Sequence, residues 1–466
     1  MERTQNETLA KEPSDLPFEL LGLIFAYYAH DETLIHPLET LLLVSRWWKF
    51  VALGHHNIWG NLRIHFGHRP TQEAWLRLLP WRLGRSGTAP LSIELRYALD
   101  GLDHPYYERT STCAWARQYF KGLDTCSCIE SAPKFARDLL DILAGPNGEE
   151  CKRWTKLHIT LGGEYRCEVG YGYRTASSWL MPRPFTYPMP SLESLYLSQL
   201  QIPHSNSVSP FSFTPSIHTV YIEHCTLGSL DGADFSSAES IIIRSSRILR
   251  EAPNIFNFRQ DSAIKVLDID IPELRSSMIS RALPHLHTLR LGWGDTSQLV
   301  DNAEYPSLRN LEFIVSEPSN HLSQLLGPLV SSVHRPLSGI TNLTISLDSL
   351  SQVLFNRLKD ELEPVLNELE SIQRIVAPKE ILSIILKHIH IGSEQPEVNR
   401  LWSNLSGRTL ELVSSTTGAR AQLTFDKQMH PESIVAAAAT IIVPDPALSW
   451  DEYVRAFHLS VRYMEI

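Results

Sequence analysis

The sequence predicts an α/β protein in which a small N-terminal helical domain precedes an elongated array of repeats that share a parallel β-sheet. Two patterns carry this prediction: an apolar helical periodicity in the first 66 residues, and a hydrophobic spacing that recurs eight times from residue 154 onward. The length of 466 residues agrees with it. A single core rarely grows beyond roughly 250–300 residues, whereas a repeat array can lengthen unit by unit.

The composition excludes several classes of protein. With 43% hydrophobic and 20% charged residues, the chain can bury a core, so wholesale disorder is excluded. The 42 basic and 52 acidic residues give a formal net charge of −10. Nucleic-acid binding and polybasic attachment to a membrane both need a surplus of positive charge, so we expect neither kind of partner.

Cysteine usage and the N-terminal sequence indicate a reducing compartment. No basic segment followed by an apolar run begins the chain, and the densest apolar run, Ser433–Val443, is too short to span a bilayer. We therefore expect a cytoplasmic or nuclear protein with reduced thiols. The cysteines form no regular disulfide framework; they are Cys113, Cys126, Cys128, Cys151, Cys167 and Cys225.

The helical domain is predicted over residues 14–66, after a disordered leader over residues 1–13. Asp15 or Ser14 can cap a first helix, and Pro17 suits its first turn. A second helix is predicted from Leu38 to Ser45, and a third contains Trp47, Trp48, Val51 and Ala52. Helices this short and this apolar carry more hydrophobic surface than their own core needs, which is typical of a docking surface for another protein.

The segment 14–66 resembles the F-box, in a form similar to fungal F-box proteins. The family pattern opens with Leu-Pro-x-Glu and two hydrophobic residues, and continues to an Ile-Phe pair. It then has Val-Cys/Ser-Arg-x-Trp and closes with a hydrophobic residue beside Trp. The corresponding residues are Leu16–Leu21, Ile24-Phe25, Val44–Trp48 and Ile58-Trp59.

The resemblance implies a function in protein degradation. An F-box protein is the substrate-recognition subunit of an SCF-type cullin-RING ubiquitin ligase: it binds the Skp adaptor, through it the cullin, and holds a target protein with the rest of its chain. It performs no covalent chemistry itself. The adaptor-binding residues that the resemblance implies are Leu16, Pro17, Leu20, Leu21, Ile24, Val44 and Trp48.

Residues 67–150 are interpreted as a connecting region or N-terminal cap of the repeats. Trp75–Leu79 predicts a helix that ends at Pro80. Leu91–Tyr97 alternates apolar and polar residues, which predicts a strand, and Phe135–Leu143 predicts a short amphipathic helix.

From residue 154 onward, the recurring spacing is hydrophobic, two residues, hydrophobic, one residue, hydrophobic. From the second occurrence onward, the intervals between first positions are 25, 21, 26, 22, 22 and 32 residues, most of them within the period of leucine-rich repeats. The chain thus resembles degenerate leucine-rich repeats, with a solenoid over 151–376 and further repeats and a cap over 377–466. An ordinary α/β domain with similar strands is the alternative. The first positions are Trp154, Leu192, Ile217, Ala238, Ile264, Leu286, Leu308 and Ile340.

The polar residues of these strands form the predicted target-binding face. Because side chains alternate along a strand, the residues beside each central apolar position share the face away from the core. The alternative is a merely solvated sheet face. The predicted target-binding residues are Tyr196, Tyr221, Glu223, Arg244, Asp268, Asp270, Arg290 and Glu312.

Catalytic and metal-binding patterns are missing from the sequence. It contains no Gly-x-Ser-x-Gly segment, phosphate-binding loop or His-Glu-x-x-His pair, so we predict no catalytic residues, no metal and no cofactor. Two other functions stay open. One is an F-box and repeat scaffold that acts outside ubiquitination. The other is an enzyme with a site in the 100–190 loops, for instance around Cys126, Cys128 and His158.

Overall fold

A computed structural model of the protein describes two compact units. Unit 1 comprises Met1–Leu200 and Phe211–Ser216, and unit 2 comprises Gln201–Pro210 and Ile217–Ile466. The described residues are 16–30, 37–66, 69–97, 127–161, 183–202, 211–227, 233, 235–244, 246–248, 262–270, 283–292, 305–315, 339–347, 374–378, 409–413 and 420–424.

Within the described residues, unit 1 begins with four helices. Ser45 separates the second helix from the third, since its backbone is extended and its side chain caps the third helix by accepting a 3.1 Å hydrogen bond from Trp48 N. A Cβ atom at Gly22 would overlap the His55 ring, so glycine allows the first helix to approach this residue. The helices are α1 (Phe18–His30), α2 (Pro37–Val44), α3 (Arg46–Gly54) and α4 (His56–Trp59).

These four helices share one hydrophobic core. The Phe25 ring lies 4.9 Å from the Trp48 ring, and Trp59 Nε1 donates a 2.7 Å hydrogen bond to Ala52 O. The buried members are Leu21, Phe25, Ala29, Leu38, Leu41, Val51, Ala52, Ile58 and Trp59.

A parallel sheet follows in unit 1. Its strands pair in the order β1–β2–β3–β4. Strand β2 has the bounds that the alternation predicts, whereas β1 lies inside the range 14–66 assigned to the helical domain. The elements are β1 (Asn61–Phe66), α5 (Arg69–Ser86), β2 (Leu91–Tyr97), α6 (Ser127–Ala144), β3 (Trp154–Thr160) and β4 (Ser194–Ser198), with short 3₁₀ turns at Glu150–Arg153 and Arg183–Thr186.

Helix α5 corrects one expectation. The prediction that this helix ends at Pro80 is wrong, because α5 continues to Ser86 with the proline inside it. Proline removes one backbone hydrogen bond. Buried side chains on both sides of it, Leu79 and Arg82, hold the helix against the rest of the unit. Ser86 is also buried and accepts a 2.8 Å hydrogen bond from Arg153 Nη2.

Unit 2 contains a second set of paired strands. Its main strands pair in the order β6–β8–β10–β11–β12–β13–β14–β15–β16, parallel except for the antiparallel pair β15–β16, and β5–β7–β9 form a separate short sheet. The strands are β5 (Gln201–Ile202), β6 (Thr219–Glu223), β7 (Thr226–Leu227), β8 (Ser240–Arg244), β9 (Arg247–Ile248), β10 (Val266–Ile269), β11 (Thr288–Leu291), β12 (Asn310–Val315), β13 (Asn342–Leu347), β14 (Arg374–Pro378), β15 (Thr409–Val413) and β16 (Arg420–Thr424).

The recurring hydrophobic spacing accounts for the strands. Wherever the structure describes their side chains, the three apolar residues of each repeat are buried. The second and third are separated by one intervening residue, so they lie on the same face of a strand. The prediction of an α/β fold with a parallel sheet is confirmed. Of the range 377–466 assigned to further repeats and a cap, the structure describes residues 377–378, 409–413 and 420–424, and the rest of the range lies outside the described residues.

Candidate protein-interaction surfaces

Exposed apolar side chains concentrate on the N-terminal helices. Among the residues that the structure describes, eleven large hydrophobic side chains are exposed, and nine of them lie between residues 16 and 50. The other two are Trp81 and Phe213. A concentration of exposed apolar side chains usually marks a site of protein association. We call these nine residues the helical surface; they are Leu16, Leu20, Leu23, Ile24, Tyr27, Leu43, Val44, Trp47 and Phe50.

Helical periodicity divides the apolar residues of α1 between two faces. Leu21 and Phe25 are spaced four residues apart and point into the shared core, whereas Leu20, Ile24 and Tyr27 lie on a neighbouring face and are exposed. The half-buried Phe18 connects α1 to the exposed aromatic residues of α3. Phe50 lies 5.6 Å from Trp47 within α3 and 6.3 Å from Phe18 of α1, measured between ring centroids.

The structure exposes five of the seven predicted adaptor-binding residues. Trp48 is half-buried against Phe25, and its Nε1 is buried without a hydrogen-bond partner among the described residues. Leu21 requires a correction: its side chain is 2% exposed, so it packs in the core and offers no contact surface. The five exposed residues are Leu16, Pro17, Leu20, Ile24 and Val44.

A second candidate surface is the polar side of the unit 1 sheet, where three residues from each of four strands share one face. It carries three cations and one carboxylate, with two histidines between them. All twelve positions follow from the strand register. We call this set the unit 1 polar face; it comprises Asn61, Arg63, His65, Ser92, Glu94, Arg96, Lys156, His158, Thr160, Ser194, Tyr196 and Ser198.

Glu94 lies at the centre of the unit 1 polar face. Its carboxylate pairs with Arg96, and it lies 3.8 Å from Arg63 Nε and 3.7 Å from His65 Nε2. The pKa of Glu94 is lowered, first by the polar interaction with His65 and then by the positive charges of Arg96 and His158, which together outweigh the opposite effect of burial. The carboxylate is therefore ionised at neutral pH and shared among several cationic groups.

The lowered pKa of Glu94 makes a testable contribution to stability. A carboxyl group whose pKa is lowered in the folded state stabilises the fold at any pH above its ordinary pKa, near 4.5. This stabilisation is lost as the pH falls through the folded-state pKa. We expect Glu94→Gln to reduce the free energy of unfolding at pH 7 by less than about 1 kcal/mol, because solvent screens the site. Urea unfolding between pH 3 and 7 should show the difference shrinking below the ordinary pKa. A difference that grows with acidity would contradict this assignment.

Beside Glu94 on this face, His158 and Tyr196 form an aromatic pair. Their ring centroids are 4.1 Å apart, and His158 Nε2 lies 3.2 Å from Thr160 Oγ1. His158 belongs to the group named for an enzyme site, but Cys126 lies outside the described residues, and so does the side chain of Cys128. The described Cys151 is buried, and burial raises the pKa of its thiol to about 12, which keeps it protonated and a poor nucleophile.

The third candidate surface is the polar side of the unit 2 sheet, which contains most of the predicted target-binding residues. Four of them, Arg244, Asp268, Arg290 and Glu312, form one ionic network rather than separate solvated side chains. Tyr196 belongs to unit 1. We call the remaining seven residues the unit 2 polar face: Tyr221, Glu223, Arg244, Asp268, Asp270, Arg290 and Glu312.

Asp268 organises this network. Its Oδ2 accepts hydrogen bonds from Arg244 Nε at 3.0 Å and Nη2 at 2.7 Å, and it lies 3.5 Å from Arg290 Nη1. Arg290 Nε lies in turn 3.2 Å from Glu312 Oε1. Asp268 is only 3% exposed, which corrects its interpretation as a contact residue. Its Oδ1 is buried and has no hydrogen-bond partner among the described residues.

The network also holds Arg244 and Tyr221 in their charge states. Desolvation alone would lower the pKa of Arg244, but the hydrogen bonds and charge of Asp268 outweigh it and raise the pKa. Burial, and then the charge of Glu223, raise the pKa of Tyr221, whose ring lies 5.9 Å from the Arg244 guanidinium carbon. Arg244 is therefore a permanent cation here and Tyr221 a neutral phenol.

Sequence reasoning missed most of the unit 1 polar face. Arg63, His65, Glu94, Arg96 and Lys156 were not predicted to form a site. The alternation in β2 was recognised, but its polar positions were not combined with those of β1 and β3. The signal that could have found them is the same alternation in β1, where Leu62, Ile64 and Phe66 separate the polar residues.

A metal-binding site is not found in the part of the chain that the structure describes, since no group of three or more His, Cys, Asp or Glu side chains could hold an ion there. Within the same residues, no helix combines the length and hydropathy of a membrane span. No protein-family model matches the chain, and no curated protein matches it. The function is therefore inferred from the helical surface and the two polar faces.

Proposed function

We propose that the chain is the substrate-recognition subunit of an SCF-type cullin-RING ubiquitin ligase. The F-box-like helices bind the Skp adaptor, and the leucine-rich-repeat-like strands, arranged as a solenoid, hold a target protein. The observation that carries the proposal is the helical surface: of the eleven exposed large hydrophobic side chains that the structure describes, nine fall within the segment that resembles the F-box. An isolated domain gains nothing from exposing so much apolar area, whereas an adaptor would bury it.

The proposed mechanism is proximity. The helical surface fixes the chain to the adaptor and cullin, and the polar faces hold the target near a separately bound ubiquitin-conjugating enzyme. Tethering raises the effective concentration of target lysines beside the reactive thioester. In this mechanism the chain contributes binding and orientation, and the transfer of ubiquitin takes place on other subunits.

Adaptor capture tests the proposal. Leu20 and Ile24 are 49% and 48% exposed on α1, so replacing both by Asp leaves the core intact and places two charges in the proposed interface. We expect Leu20→Asp/Ile24→Asp to weaken binding of purified Skp adaptor at least about thirtyfold in a titration, since buried unpaired charges are costly. Circular dichroism should show an unchanged thermal midpoint.

A matched control is Phe213→Asp. Phe213 is also 48% exposed in unit 1 but lies outside the helical surface, so this change should leave adaptor binding intact. The proposal fails if the wild-type chain captures no adaptor, or if the double variant binds as well as the wild type. Adding cullin separates a ligase subunit from a scaffold: a scaffold that acts outside ubiquitination would bind the adaptor without retaining the cullin.

A further inference from the structure

The unit 1 polar face has a charge opposite to that of the whole chain. Arg63, Arg96 and Lys156 contribute three positive charges against the single negative charge of Glu94, so the face carries +2 when both histidines are neutral. The chain as a whole carries −10. The surplus is therefore a local feature of these four strands.

The unit 2 polar face has the reverse balance. Two arginines there stand against four carboxylates, those of Glu223, Asp268, Asp270 and Glu312. Asp268 and Glu312 already pair with the arginines. The two faces, each taken by itself, thus favour ligands of opposite charge.

Glu94 cannot satisfy the cations around it. One carboxylate matches one guanidinium well, but Glu94 is shared by Arg63, Arg96 and His65. Arg96 is about half-exposed and pairs with Glu94 through its Nε. Lys156 is exposed and forms no ion pair with another residue that the structure describes. Donors therefore remain on this face for additional carboxylates.

The size of the face defines the length of a ligand. Adjacent strands lie about 4.8 Å apart, so four strands span roughly 14 Å, and residues two apart along a strand are separated by about 7 Å. An extended peptide advances about 3.3 Å per residue, so four to five residues cross the sheet. Tyr196 of β4 and His158 of β3 provide an aromatic contact for the ligand. Tyrosine is a residue that often anchors interfaces.

We infer that the unit 1 polar face binds a short acidic segment of the target protein. This inference rests on the proposed function, which supplies the target protein, and deepens it by naming the chemistry of the recognised segment. A protein segment is favoured over a nucleic acid because three cations on a chain of net charge −10 are too few to compete for a polyanionic backbone at physiological salt.

The test is a binding titration by fluorescence anisotropy with the full-length chain and no adaptor. The probe is a fluorescein-labelled peptide Gly-Glu-Ser-Glu-Ser-Glu-Gly, compared with the same peptide containing Gln for Glu. We expect the acidic peptide to bind about tenfold or more tightly at 50 mM salt. The preference should nearly vanish at 500 mM salt, because exposed charges are screened.

Three variants locate the site. Arg96→Gln/Lys156→Gln brings the face from +2 to 0 and should weaken acidic-peptide binding about tenfold. Glu94→Gln raises the face to +3 and should strengthen binding a few-fold. The matched control Lys265→Gln/Arg309→Gln removes the same two residue types from exposed positions of unit 2 and should leave binding unchanged. Circular dichroism verifies the fold of each variant.

The outcomes separate this inference from the proposed function. Equal binding of both peptides, or acidic-peptide binding that survives Arg96→Gln/Lys156→Gln, would overturn it. Tighter binding of a single-stranded RNA octamer than of the acidic peptide would assign the face to nucleic acid instead and overturn it as well. Because the titration contains no adaptor, a failure of adaptor capture leaves its result unaffected.

Discussion

Replacing Phe25 with alanine is expected to destabilise the helical part of unit 1 by about 3–5 kcal/mol, the usual cost of deleting a buried aromatic side chain. Phe25 is fully buried, and its ring packs 4.9 Å from Trp48, which joins α1 to α3. The cavity would remove contacts from both helices. Hydrogen exchange of peptides covering α1 and α3, read by mass spectrometry, should show opening at a correspondingly lower free energy.

Tyr27→Ala is the control for this prediction. Tyr27 lies two residues further along α1 but is 85% exposed, so its removal should change hydrogen exchange little. Both variants are expected to weaken adaptor binding, the first by unfolding the surface and the second by removing part of it. Protection in the Phe25→Ala variant equal to that of the wild type would contradict the core assigned to α1.

The repeating strands could be predicted because the alternation of apolar and polar residues along the chain is enough to identify them. Leu195 and Leu197 lie on the buried face of β4 because the alternation of a strand permits nothing else once the sheet has one apolar side. The same rule places Tyr196 on the polar face. A spacing of this kind recurs along the chain, so each repeat supports the interpretation of the next.

Features that depend on packing between distant residues could not be predicted. Leu20 and Leu21 are equally apolar neighbours, and only the packing of α1 against α3, which contributes Val51 to the shared core, decides which of them is buried. Pro80 predicts the end of a helix, but buried residues on both sides of it keep the helix intact. The alternation within each strand shows which residues of the unit 1 polar face share a side, but which of them become neighbours follows from the register of β1, β2, β3 and β4, which no local pattern contains.

Asp268 shows the same limit with larger energetic consequences. Its position in the alternation places it correctly on the polar side of β10, but its burial follows from two arginines on neighbouring strands. The sequence shows opposite charges on successive strands, but it does not show that the arginine side chains pair with Asp268 and bury it. A residue predicted to contact a target therefore becomes the centre of a structural network.

Asp268→Ala is expected to destabilise unit 2 by about 2–4 kcal/mol. Removing one partner of a buried ion pair leaves the other charge uncompensated, at a usual cost of 3–5 kcal/mol, and partial exposure of the Arg244 and Arg290 side chains reduces it. Hydrogen exchange of peptides covering β8, β10 and β11 measures the change. Glu239→Ala serves as the control, because it breaks an ion pair with Lys265 that is exposed on both sides and should have little measurable effect.

A double-mutant cycle distinguishes the network from a simple loss of packing at Asp268. In an Arg244→Met background, one cation no longer needs a carboxylate, so Asp268→Ala should cost less than it does in the wild type. The coupling arises because Arg244 donates two hydrogen bonds to the same oxygen, Oδ2 of Asp268. If the cost of Asp268→Ala is equal in both backgrounds, the two side chains act independently and the network does not stabilise the sheet. A reduced cost would show that charge pairing holds these strands together on the face that the sequence assigned to target binding.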